Sequence, residues 1–425
     1  MKSDLLKQRI AEGRYDDILI DLYNDKNHLS YQKQRYIRAI EKYEATFAVD
    51  NISIFSVSGR TEIAGNHSDH QAGKGLASAI NLDVIAVCAP TRNGLIKINS
   101  NDRKMPLINI NQLDYDQRDY HNSKGLVKGV LKAMSNDFYR LGGFNGYLTS
   151  DIIIGSGLSS SAAFEVMIAT IVNGLYNRME ISAVDVAKYC RYAENVYFGK
   201  ASGLMDQLSC SIGNLVSFDF SNEKNPKVER IDYDFDNSGY SLCIVDCKGS
   251  HSKLMDEFNG IIDDLKDVSS YFDKQYISEI TKKDVLDNIP KLREHISDRA
   301  IIRSLHILNE NERAEIEANA LKNNDIELFI KTVKESGDSS FKYLQNIYSE
   351  NDITNQSLSI ALMVSEMILK DNGVCKVHGG GFGGTIQAFV KNEFVGHYKQ
   401  EIEKVFGENS CHILKIRKYG ARQVF

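Results

Sequence analysis

Between residues 155 and 163 the chain reads Gly155-Ser156-Gly157-Leu158-Ser159-Ser160-Ser161-Ala162-Ala163. Glycines at two of these positions let backbone amides approach an anion closely, and three serines add hydroxyls and unpaired N–H groups. The stretch that follows, Ala162 to Tyr176, has the length and apolar content of a buried helix, and a helix N-terminus favours negative charge. The run is not a Walker loop, since no Gly-Lys-Ser/Thr follows, and it lacks the third glycine of a dinucleotide fingerprint. A phosphate cradle and a plain serine-capped helix start both fit it. Downstream, Glu194 and Asp206 flank a turn. Phosphoryl transfer from a nucleotide needs carboxylates for magnesium and near the attacking hydroxyl, although either acid alone reads as an ordinary surface group.

Two further segments carry chemistry. Gly59-Arg60-Thr61-Glu62-Ile63-Ala64-Gly65-Asn66-His67-Ser68-Asp69-His70-Gln71 is dense in hydrogen-bonding groups, the lining expected around a polyhydroxyl ligand such as a sugar. His67, Asp69 and His70 also allow a metal site, hence a metallohydrolase, but no third protein ligand stands near them in sequence. Val377-His378-Gly379-Gly380-Gly381-Phe382-Gly383-Gly384-Thr385 is rich enough in glycine to adopt positive φ and to bring backbone against another surface. It reads equally as a loop over phosphates or as a packed turn.

The elements that must position these groups follow from hydrophobic patterning. Residues 1–48 form a helical, charged extension, with Tyr31 to Tyr43 its clearest helix. Apolar clusters at Ile52–Val57 and Asn81–Ala89 read as strands on either side of a polar loop from Gly59 to Gly75. A strand over Tyr147–Ile154 feeds the Gly/Ser run, a helix over Ala183–Tyr197 leads to Gly203-Leu204-Met205-Asp206-Gln207, and Gly213–Phe220 reads as a strand. After a polar stretch from Ser221 to Gly239, strand Tyr240–Asp246 opens a helix-rich second half. Strands Gly373–Val377 and Thr385–Val390 then flank the glycine hairpin. This gives three units: 1–48, 49–235 and 236–425.

A chain of 425 residues is too long for one ordinary core and fits two domains. Its net charge of −6 offers no general attraction to nucleic acid or to an anionic membrane, so neither is expected as a partner. The longest apolar stretch, Ala162 to Leu175, contains Glu165 and Asn173 and falls short of the roughly 18 residues of a span. Seven scattered cysteines without a Cys-x-x-Cys pair suggest reduced thiols and a cytoplasmic protein.

Taken together and in order, GRTEIAGNHSDHQ, GSGLSSSAAFEV, AENVYFGKASGLMDQ and VHGGGFGGT resemble the galactokinase branch of the GHMP kinases over residues 52 to 390. The resemblance implies an α/β N-terminal domain of the ribosomal-protein-S5-like type and a ferredoxin-like α+β C-terminal domain, with the active site between them. It implies transfer of the ATP γ-phosphoryl group to the anomeric hydroxyl of a galactose-like sugar, with Mg2+ accompanying the nucleotide, in a monomer or weak homo-oligomer. By motif position, Asp206 would orient or deprotonate the sugar hydroxyl and Arg60 would stabilise it and the developing charge. Ser160 and Glu194 would stand on the magnesium side, and Gly155, Gly157, Ser159, Ser160 and Ser161 would cradle the phosphates. His67, Asp69 and Gly203 would contact sugar hydroxyls, and Gly380 and Gly381 would close over the site.

Three positions depart from the family pattern. Asn66 replaces a Glu expected near the sugar 6-hydroxyl, His70 replaces a Tyr, and Phe258 in Asp256-Glu257-Phe258 stands where a Tyr is common. An amide in place of a carboxylate removes repulsion toward an anionic C6 group, so galacturonate is an alternative substrate. A non-catalytic sugar and ATP sensor is the alternative of another class.

Overall fold

The computed structural model describes residues 1–47, 51–153, 155, 157–200, 202–222, 225–249 and 254–425. Ser156 of the Gly/Ser run, Ile154 at the end of its expected strand and the junction at 48/49 lie outside the described residues. Thirteen described strands are β1 Ser53–Ala64, β2 Lys74–Thr91, β3 Leu95–Ser100, β4 Arg103–Lys104, β5 Ile108–Asn109, β6 Gly143–Ser150, β7 Leu215–Asp219, β8 Lys227–Ile231, β9 Tyr240–Asp246, β10 Gly373–Val377, β11 Thr385–Lys391, β12 Cys411–Leu414 and β13 Ala421–Gln423. Nine form one sheet with the path β13-β1-β2-β6-β3-β4, where β5 pairs with β3 and β7 links β2 to β8. The other four form an antiparallel sheet ordered β10-β11-β9-β12.

The large sheet is covered on both faces, and strand periodicity decides which side chain meets which cover. Ile54 of β1 with Ile85 and Val87 of β2 pack on Leu6, Leu22, Tyr36 and Ile40 of the N-terminal helices. Phe55, Val57, Ala86 and Cys88, pointing the other way, pack on Ala163, Val166 and Ile171 of helix Ser160–Asn177. Residues 3–47 are therefore a wall of the first domain. Helices Ser3–Ala11, Asp16–Tyr23 and Leu29–Phe47 bury large apolar side chains there, each contributing about 1.5–3 kcal/mol of transfer free energy.

Asp83, fully buried on β2, joins three distant segments. It accepts hydrogen bonds from Arg35 and Tyr23 of the N-terminal helices, from Ser56 of β1, and from Arg417 near the C-terminus at 3.0 Å. Strand β13 pairs with β1, so residues 421–423 belong to the first sheet while β9 to β12 form the second. One apolar core runs from Phe55 and Ile168 to Ala314, Phe329 and Phe389, binding the two sheets together.

Two expectations change. The loop expected over Gly59–Gly75 is strand as far as Ala64, and only about residues 65 to 73 turn. Polar residues at 58, 60, 61 and 62 hide the strand because they line a site inside the protein. The helix expected over Ala183–Tyr197 is α-helical only to Tyr192, after which Ala193–Phe198 widens into a π-helical turn, a form that recurs at functional sites. No helix among the described residues is long and apolar enough to cross a membrane.

Candidate active site

Arg60 is aimed by an irregularity in its strand. The register of β1 with β2 shifts between Ser58 and Arg60 and again between Glu62 and Ala64, and such breaks re-aim side chains. A Cβ at Gly59 would stand 3.1 Å from the Leu158 carbonyl, so β1 lies directly against the Gly/Ser turn. The Arg60 guanidinium reaches Asp206 with Nε at 2.8 Å and Nη2 at 2.6 Å, and Nη1 donates to the Gly157 carbonyl. Asp206, in the first turn of helix Met205–Ile212, accepts with its other oxygen from the Ser159 hydroxyl.

This last contact separates the two readings of the Gly/Ser run. Ser159 immediately precedes helix Ser160–Asn177 but makes no capping hydrogen bond, and its φ of 55° lies in the left-handed region that non-glycine residues rarely enter. Its hydroxyl is turned to Asp206, so no side chain of Ser159 covers the first-turn amides of the helix. Gly155 and Gly157 also have positive φ, 79° and 71°. The geometry is a cradle open to an anion.

Burial alone would raise Asp206, but Arg60, Lys200 and the Ser159 hydrogen bond outweigh it and hold the carboxyl below the usual range. Two neighbours go the other way. Burial pushes Glu62 up to about 8 against the pull of Arg60, and burial with the charge of Asp206 raises Asp69. Asp206 is thus the carboxylate of this group held most firmly ionised.

The sugar-loop residues form a directed chain of hydrogen bonds. The Gly380 carbonyl can only accept, so His67 donates to it from Nε2 at 2.9 Å; His67 Nδ1 then accepts from His70 Nε2 at 3.2 Å. His70 Nδ1 in turn accepts from Gln71 Nε2 at 3.2 Å, and Gln71 Oε1 accepts from the Ile277 amide at 3.3 Å. All four ring nitrogens are occupied, which opposes the metal-ligand reading, and no cluster of three metal-ligating side chains exists among the described residues. Burial lowers both histidines to about 4, so each ring is neutral in the folded protein at pH 7. An unfolded histidine titrates near 6.5, so the unfolded chain binds more protons between about pH 4 and 6.5. Stability should rise with pH across that window. Urea midpoints measured from pH 4 to 7 should show this slope, and it should be shallower in His70→Phe.

Gly203 faces Asp69 so closely that a Cβ would lie 1.8 Å from Oδ2, and Gly380 is covered by the Phe258 ring, 2.0 Å from where its Cβ would stand. Phe258 also packs against His67 and Phe382. Gly381 (φ 86°) abuts the Asn346 carbonyl. Asn66, expected at the C6 end of the sugar, is buried, its Oδ1 accepting from Lys376 Nζ at 3.2 Å and its Nδ2 donating to the Gly379 carbonyl. Lys376 also donates to the Ile63 carbonyl and to Ser336, so Asn66 braces the loop from behind.

Glu194 lies in the π-helical turn and is buried. Its carboxylate accepts from Lys200 Nζ at 3.1 Å and Gln207 Nε2 at 2.8 Å. Nearby, buried Glu165 has Gln207 as its polar neighbour, and burial together with Glu194 pushes its carboxyl well above the usual range.

This constellation can be set beside known proteins. The GHMP kinases N terminal domain matches residues 125–214 and the galactokinase galactose-binding signature matches residues 41–90. The galactokinase of Lactobacillus helveticus is 26% identical over 377 residues, 86% of this chain and 93% of the relative. That of Clostridium beijerinckii is 26% identical over 394 residues, 89% and 96% of the two chains. Over most of its length this chain is similar to galactokinases, and it carries matches to both a GHMP kinase domain and the galactose-binding signature. Among solved structures, galactokinase of Lactococcus lactis complexed with galactose superposes with a TM-score of 0.76 at 18% identity, covering 90% of this chain and 98% of that one. A mevalonate kinase superposes with a TM-score of 0.61, covering 86% and 99%. The architecture is therefore the two-domain GHMP kinase fold.

The structure brings Arg60, Asp206, Ser159 and Gly157 into direct contact, and His67 into contact with Gly380. Reading the motifs passed over Glu62, Lys200, His378 and Gln387. His378 accepts at Nε2 from the Glu62 amide and stands 3.2 Å from a Cβ built on Gly157, while Gln387 donates to Thr61 at 2.8 Å. Glu62 shares a strand face with Arg60, a period-two signal available only once the segment is read as strand.

Proposed function

We propose that this chain is a galactokinase, moving the terminal phosphoryl group of ATP to the anomeric hydroxyl of galactose and releasing galactose 1-phosphate and ADP. The observation that carries the reading is Asp206 held between Arg60 and Ser159, an ionised carboxylate fixed at the lip of an anion cradle. A hydroxyl brought to Asp206 is held next to the cradle's phosphates, the positioning on which phosphoryl transfer chiefly depends. Arg60 offsets charge that develops between donor and acceptor. Gly155, Gly157, Ser159, Ser160 and Ser161 bind phosphate, Gly380 and Gly381 close over the site, and Asn66, Asp69, Gly203, Phe258 and the ring of His67, whose nitrogens are engaged by His70 and Gly380, form the sugar end.

The oxygen donors fit Mg2+. Ser160 and Glu194 would hold it, and Glu165 is a second buried carboxyl close enough to Glu194 for the two to repel, a pairing that a cation would relieve. When bound, the ion neutralises charge on the transferring phosphates. The seven cysteines, all free and buried, support a cytoplasmic setting. The working form is a monomer or weak homo-oligomer, with 49–235 and 236–425 as its two domains, the N-terminal helices packed on the first and strand 421–423 added to its sheet.

A sugar panel with ATP and Mg2+, read as ADP release and by the position of the new phosphate, tests this. Galactose should turn over fastest with phosphate on C1. Faster turnover of galacturonate would replace galactose as the substrate, and no ADP release on any sugar would leave a sensor.

A further inference from the structure

Lys200 follows the motif glutamate by six residues and is tied to it twice. The π-helical turn ends at Gly199, whose φ of 82° turns the chain back. The amides of Gly199 and Lys200 then donate to the Glu194 carbonyl at 2.9 and 3.0 Å. The Lys200 ammonium returns to the Glu194 carboxylate at 3.1 Å. Its field also reaches Asp206 and Glu165. Glu194 is 3% exposed and cannot leave, whereas the lysine side chain is 41% exposed and has solvent into which its stem can swing.

Arg60 cannot supply all the positive charge that a nucleotide's phosphates require, because it is engaged by Asp206 and the Gly157 carbonyl. Lysine suits the remaining task, being a point charge on a flexible four-carbon stem. We propose that Lys200 is a second phosphate-binding cation of this site, pairing with Glu194 when nucleotide is absent and turning to the terminal phosphates of ATP when it binds. This rests on the phosphoryl-transfer reading of the cradle. Lys200 then gives up one carboxylate for phosphate oxygens, and Glu194 becomes available as a metal-side ligand in the same movement.

Calorimetric titration of ATP without sugar, with and without Mg2+, tests the proposal on the full chain. Lys200→Met should weaken ATP binding by about tenfold or more in both conditions, and Lys200→Arg should recover most of the loss. Equal affinity for the unmodified and Lys200→Met proteins would overturn the proposal. So would a loss in Lys200→Arg as large as in Lys200→Met, which would mean that positive charge at this position is not what binds ATP. Thermal melts of both variants identify misfolding; if Lys200→Met does not fold, the Lys200→Arg and Lys200→Gln pair carries the same comparison. An unmodified chain that binds ATP through Lys200 yet phosphorylates no sugar would retain this inference and sink only the galactokinase reading.

Discussion

Asp206→Asn should lower kcat by about 10²–10⁴-fold while leaving ATP affinity nearly unchanged. The amide keeps the size of the carboxylate; its Oδ1 can still accept from Arg60 while its Nδ2 donates to the Ser159 hydroxyl, which turns to accept, so the cradle stays assembled. What is lost is the negative charge and the capacity to take the hydroxyl proton. Because Arg60 and Lys200 keep Asp206 below the ordinary carboxylate range, it is a weak base in the resting protein. That suits a loose transition state, in which little nucleophilic push is needed and the proton moves late. The acid limb of kcat/KM should accordingly lie below about pH 3.9, the unperturbed aspartate value. Steady-state kinetics and ATP calorimetry on the variant check both halves, and a turnover equal to that of the unmodified protein would remove Asp206 from the chemistry.

Asp83→Ala should destabilise the fold by about 3–5 kcal/mol, because it leaves the buried guanidiniums of Arg35 and Arg417 without their common carboxylate. Urea unfolding measures this as a lower midpoint. Burial would raise Asp83, but Arg35 and Arg417 reverse that and hold it below the usual range. A depressed folded value means the contribution is complete above the unfolded value of about 3.9 and drains away as pH falls through the folded one. Asp83→Ala should therefore differ most from the unmodified protein at neutral pH and least in strong acid. A midpoint unchanged at pH 7 would show that the junction contributes nothing net.

The motif-bearing turns were legible because glycine and serine clusters have few uses, and strands Tyr240–Asp246 and Gly373–Val377 appear where alternating apolar runs place them. Strand β1 was legible only in its first half, since Arg60, Thr61 and Glu62 are buried polar residues whose reason for burial is the site itself. The role of Asn66 was hidden for a different reason. Its partners Lys376 and Gly379 are more than three hundred residues away, and no local pattern announces a contact of that range. The N-terminal helices read as an extension because amphipathic spacing shows that a helix has an apolar face without showing what covers it.

The pairing of β13 with β1 sets an order on how the molecule is made. β1 leaves the ribosome well before its edge partner at residues 421–423, and Arg417 must arrive with that partner to reach Asp83. At roughly 5–20 residues per second, the nascent first sheet waits on the order of twenty seconds to a minute with one edge open. During that interval the uncovered strand edge is a template for pairing with other chains. Pairing of β13 replaces the open edge of β1 at residues 55–57 with a three-residue strand, too short to be a good template, and ends that interval.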